Sequence, residues 1–145
     1  MTDRYTEFLA GERHEDVALY LTEAAVSNVE ALADRDDAVA TDEGVVLVVD
    51  GEKGRSVFKK TTGMDAMEFA QGAMGSDGHI DADLAGGECP EAGDGEDHEV
   101  EFVFAFTEAQ NEEVGGLYAE GAVVHAYAHC SCGASYSERW LCGER

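Results

Sequence analysis

The residues predict an α+β fold in a single domain over 1–145: a mixed β-sheet with helices packed on it and a C-terminal β-hairpin carrying cysteines. Three observations lead there. In residues 122–140, Val123, His125, Tyr127 and His129 alternate with Val124, Ala126, Ala128 and Cys130, the two-residue period of a strand. The alternation resumes after Cys130-Ser131-Cys132-Gly133 with Ala134, Tyr136, Glu138 and Trp140 to one side, and Gly133 supplies the positive φ that a tight turn needs. Residues 45–49 are five apolar residues, four of them valine, as in a strand covered on both faces. Elsewhere the period changes: Met64, Met67, Ala70 and Met74 form a helical stripe.

Taken in order, Asp3 caps a short helix through Ala10 that Gly11 closes. Residues 17–21 are an apolar run of strand length, and Ser27-Asn28-Val29-Glu30 is a capping box that starts a helix to about Arg35. After the 45–49 strand, residues 50–54 read as a turn, Arg55 to Lys60 as a helix start, and Met64 to Met74 as a second helix ended by Gly75. Residues 76–98 then form a Gly-rich, acidic loop, too long for a compact domain unless something pins it, and Cys89 is the candidate pin. The strand from Glu99 to Phe106 places Val100, Phe102, Phe104 and Phe106 on one side. Thr107 and Gln110 suggest another cap, with Gly115-Gly116 ending the helix that follows. This order divides the chain into a β-α-β-α half (1–75), the loop (76–98) and a strand with its hairpin (99–145).

Composition narrows the setting. Thirty-two acids against nine Lys and Arg leave a formal charge of −23, yet 44% of residues are hydrophobic and fall in patterned runs, so disorder is not the explanation. A salt-rich cytoplasm is, because at 1 M salt repulsion is screened within about 3 Å. The same acidity speaks against broad binding to nucleic acid or anionic membranes. The first residues have no apolar segment of a secretory leader, and no run approaches a membrane span. Cytoplasmic location follows as an expectation, and four cysteines there suggest thiols, metal or redox chemistry before structural disulfides.

The cysteines carry the sharpest chemical expectation. Structural zinc takes four soft or borderline ligands in a tetrahedron. Cys89, Cys130 and Cys132 supply three, and His98, which enters the strand after the loop, is the preferred fourth over His79, His129 or Cys142. The alternatives are thiols without a metal, or a redox pair at Cys130/Cys132. A second constellation lies at 53–60, which holds all three lysines and four of the nine basic residues. Lys53, Arg55, Lys59 and Lys60 near a helix start suggest a contact site for a protein or anionic partner, with Phe58 as apolar support; the bland reading is a solvated turn. His125 and Tyr127 share a face, with Tyr136 or Trp140 across from them, an acid–base candidate that lacks a nucleophile. Asp81-Ala82-Asp83 and residues 94–97 lack the ligand order of a Ca²⁺ loop, and Met64, Met67 and Met74 read as core.

Two resemblances add to this. Cys89-Pro90-Glu91-Ala92-Gly93 is similar to a zinc-ribbon knuckle, except that Ala92 stands where a second ligand belongs, and His129-Cys130-Ser131-Cys132-Gly133 resembles its partner knuckle. The segments DVALYL, GVVLVVDGEKGRS, GMDAMEFAQGAM, ECP, EFVFAF, NEEVGGLY and HAYAHCSCG resemble a family of small haloarchaeal proteins of unknown function. That resemblance implies a cytosolic, single-domain protein and no particular activity. With no complete catalytic set, a binding or adaptor protein is expected ahead of an enzyme working through Cys130/Cys132 or His125. A passive protein that dimerises through sheet edges is the third reading.

Overall fold

A computed structural model describes residues 4–12, 15–22, 38–40, 44–81, 84, 87–89, 100–109, 113 and 115–142. In chain order the elements are α1 (Arg4–Leu9), β1 (Asp16–Thr22), β2 (Ala38–Ala40), β3 (Gly44–Asp50), α2 (Gly51–Thr62) and α3 (Ala66–Ala73). Then come β4 (His79–Ile80), β5 (Gly87–Glu88), β6 (Val100–Glu108), α4 (Leu117–Glu120), β7 (Val123–Cys130) and β8 (Ser135–Leu141). Six strands form one sheet in the order β2-β3-β1-β6-β7-β8, with β4 and β5 paired separately. The fold is α+β, with helices packed on the sheet as expected.

Each neighbouring pair in the large sheet is antiparallel. β3 and β6 run the same way, yet β1 is inserted between them, so the α2–α3 connection does not make adjacent parallel strands. A parallel contact occurs instead at the edge, where Asp77 bridges Ser137 of β8. β1 is central and all seven of its residues are buried, which is why 17–21 lacks a polar face.

The faces of the sheet have separate cores. On one, Val17, Leu19, Leu47, Phe102 and Phe104 meet Phe58 of α2 and Phe69 of α3. The Phe58 ring lies 5.4–5.5 Å from those of Phe69, Phe102 and Phe104, a cluster whose truncation costs about 3–5 kcal/mol per ring. On the other, Val46, Val48, Ala126, Ala128, Tyr136 and Trp140 meet Phe8 of α1 and the 80–89 segment through Ile80, Leu84 and Cys89.

Several local expectations change for physical reasons. Residues 50–54 are not a free turn: Asp50 caps α2 by accepting from the Lys53 N–H at 2.9 Å, and the helix begins at Gly51. Gly54 faces the sheet, where a Cβ would collide with Val17 Cγ2, so it serves close packing rather than turning. Val100 does not share a face with Phe102. A bulge at Glu101 shifts the register, so that Val100 pairs with Cys130 and packs on the opposite face. Thr107 stays in β6, Gly115 and Gly116, both at positive φ, precede α4, and the helix expected ahead of them falls on residues 110–112 and 114, outside those described. The helix expected at 27–35 and the caps at Asp3 and Gln110 lie outside the described residues. Among the described residues no helix is long and apolar enough to cross a membrane.

Candidate metal centre

The β7–β8 turn sets two of the thiols. Cys130 ends β7 with its N–H donating to the Ala134 carbonyl at 2.8 Å, and its own carbonyl accepts from Gly133 N–H at 2.9 Å. Gly133, at φ +94°, takes the left-handed conformation that closes such a turn. Strand alternation turns Cys130 to the face that holds Tyr136 and Trp140, while Cys132 stands exposed at the tip.

The third thiol arrives from the acidic loop, whose first residues are bonded to β8. Ser137 N–H donates to the Ser76 carbonyl at 2.9 Å, Gly78 N–H to the Ser137 carbonyl at 3.1 Å, and Ile80 N–H to Glu138 Oε1 at 2.8 Å. β4 and β5 then pair His79 with Glu88 and Ile80 with Gly87, which delivers Cys89, 8% exposed, beside the hairpin tip. The sulfurs of Cys89, Cys130 and Cys132 lie within 4.8 Å of one another, and those of Cys89 and Cys132 are 3.8 Å apart.

That spacing fits a metal. A tetrahedron with metal–sulfur bonds of about 2.3 Å has sulfurs about 3.8 Å apart along each edge. Burial alone pushes the Cys130 thiol up, but the Cys132 N–H and the side chains of Cys132, Cys89 and Ser131 more than offset it, leaving Cys130 below the ordinary thiol value. Donors gathered around one sulfur favour the thiolate, which is the form a metal binds.

A fourth group completes the surroundings. The Tyr136 hydroxyl is fully buried and has no hydrogen-bond partner among the described residues. Burial first, then the charges of Cys89, Cys130, Asp81 and Cys132, hold its proton on well above the usual phenol range. A Cβ at Gly87 would lie 3.2 Å from this oxygen, so the glycine leaves room for it. An orphaned O–H beside three thiols is suited to donate to a thiolate once a metal draws them together.

The other candidates stand elsewhere. His98 lies outside the described residues. The His129 ring is on the helix-covered face, stacked on Phe102 at 4.9 Å with Nδ1 3.0 Å from Ser135 Oγ. His79 pairs with Asp81 at 3.1 Å, and Cys142 sits at the far end of the hairpin, its N–H bonded to the Ala122 carbonyl. Lys53, Arg55, Lys59 and Lys60 are exposed on α2, but Phe58 is fully buried and offers no apolar contact surface. Tyr136 and Trp140 are on the face opposite His125 and Tyr127, whose cross-strand partners are Arg139 and Ser137. Met67 and Met74 are not core: they are 50% and 62% exposed. Tyr136 was readable as a site residue, since alternation from Ala134 puts it on the Cys130 side once the hairpin register is known.

A three-thiol cluster that could hold a metal ion, on one face of an antiparallel sheet, marks an α+β protein without naming an activity. The chain belongs to a family of unknown function, DUF5807, whose profile matches residues 38–143. That span takes in the thiol centre and both long helices. No curated protein and no solved structure matches the chain.

Proposed function

We propose that this is a salt-adapted, cytosolic binding or adaptor protein of haloarchaeal type. In this reading zinc at Cys89, Cys130 and Cys132 ties the acidic loop to the hairpin, and the α2 face contacts an anionic partner. The convergence of three sulfurs from two distant stretches of chain carries it, with the buried Tyr136 hydroxyl beside them. When bound, zinc would supply cross-linking rather than reaction chemistry. His98 is the proposed fourth ligand, completing a set like that of a zinc ribbon.

Support for the partner surface comes from α2: Lys53, Arg55, Lys59 and Lys60 are exposed on a helix that Phe58 anchors, in a chain with few other cations. Arg55 and Lys59, four residues apart, share a helix face. Metal analysis of protein purified without chelator tests the reading, with about one zinc per chain expected. Absence of metal, with all four thiols reacting freely in the folded protein, overturns it.

A further inference from the structure

The helix-covered face holds a second site, independent of the thiols. Between α3 and the strands β6, β7 and β8 lies an open cavity of about 590 Å³. Its floor is a shelf of near-parallel rings: Phe106 stacks on His125 at 5.0 Å and 21°, and on Tyr127 at 6.0 Å and 29°. Its rim on α3 is Met67 and Met74, the two large apolar side chains left exposed among the described residues. Exposed thioethers and aromatic rings that line one open cavity are the composition of a ligand groove, because polarisable sulfur and ring faces accept flat apolar bodies.

Charge selects the occupant. Asp77 and Glu108 line the groove against a single guanidinium, Arg139, which leaves an excess of one negative charge. Glu108 stands 3.5 Å from His125 Nε2, which places its carboxylate beside the rings, whereas the Glu138 carboxylate accepts from Ile80 N–H at 2.8 Å and serves the thiol face. Burial holds the His125 imidazole below its ordinary value, against the pull of Glu108 and with help from Arg139, so it adds no compensating positive charge near neutral pH.

We propose that this groove binds a small aromatic cation. Its ring would lie against Phe106, Tyr127 and the two methionines, with its charged end toward Glu108 and Asp77. Acidity alone would attract cations anywhere on this protein; the coincidence of carboxylates with the lining rings and the exposed thioethers localises them here.

An isosteric series separates shape from charge: benzamidine, benzamide and benzoate, titrated into protein carrying ¹³C-methyl methionine. Benzamidine should shift the Met67 and Met74 methyl signals saturably and leave Met64 unmoved, benzamide should bind several-fold more weakly, and benzoate should not bind. Glu108→Gln should weaken benzamidine about three- to tenfold, while Glu52→Gln, exposed on the first turn of α2, should leave it unchanged. If Glu108→Gln does not fold, Asp77→Asn at the exposed edge reads the same loss. No saturable shift of Met67 and Met74, equal affinity across the series, or an equal loss from Glu52→Gln each overturns the proposal.

Discussion

On one face of the sheet, α2 and α3 lay Phe58 and Phe69 onto Phe102 and Phe104 in a continuous aromatic core. On the other face the cover, among the described residues, is α1 and the two-residue strands β4 and β5, which hold Ile80, Leu84 and Cys89 against the hairpin. The first face closes by burying apolar area under regular, capped helices, and needs nothing else. Among the described residues the second has a cover with little repeating hydrogen bonding of its own, and three thiols meet beside its two-residue strands. The difference teaches where a metal would matter: a helix of three turns can be held by its apolar stripe, whereas a short irregular segment gains most from a cross-link.

The largest expected effect follows from this contrast. Stripping metal with chelator should destabilise the protein by on the order of 5 kcal/mol when metal had been in large excess over its dissociation constant. Trp140, the single tryptophan, packs on the thiol face, so its fluorescence should shift to the red on chelation while helical circular dichroism changes little. A simultaneous loss of both signals would mean that the faces are not separable.

Phe58→Ala acts on the other face and should cost about 4 kcal/mol, because a fully buried ring in contact with three others is removed. Metal content per folded chain should stay the same, and a variant that loses its metal would show that the helix face builds the centre. Gly54→Ala should destabilise by about 2 kcal/mol: helix propensity gains about 1 kcal/mol, but the clash with Val17 exceeds it. A rise in melting temperature would show that α2 shifts outward without strain.

Tyr136→Phe sharpens the comparison with an effect of opposite sign in two states. Without metal, deleting an orphaned buried hydroxyl should leave stability unchanged or raise it slightly. With metal, affinity should fall about tenfold, read by chelator competition, because a donor to thiolate is lost. Equal affinity in both proteins would make the hydroxyl a packing feature only.

Much of this was legible in the residues. β1, β3 and the hairpin were readable because alternation and unbroken valine runs report strand environment directly, and Gly133 marks its turn through backbone conformation. Cys89, Cys130 and Cys132 could be grouped because Cys89 was the candidate anchor of a long loop and Cys130-Ser131-Cys132-Gly133 resembles a zinc-ribbon knuckle. The Glu101 bulge was hidden, since one inserted residue leaves the apolar pattern of 100–106 intact while turning Val100 over. Gly54 misled in the same way: glycine signals both turns and close packing, and only the partner, Val17, decides between them. The methionine stripe shows the limit of periodicity, which finds a helix face but not whether the neighbouring sheet reaches far enough to cover it. The sheet covers Phe69 and Ala70 and stops short of Met67 and Met74.

X-ray absorption at the zinc edge, on protein loaded with one equivalent of zinc, tests the centre most directly. The account predicts three sulfur neighbours at about 2.3 Å, with one lost in Cys89→Ala and none lost in Cys142→Ala. A zinc ion surrounded only by nitrogen and oxygen, or a sulfur count that Cys89→Ala leaves unchanged, would contradict it.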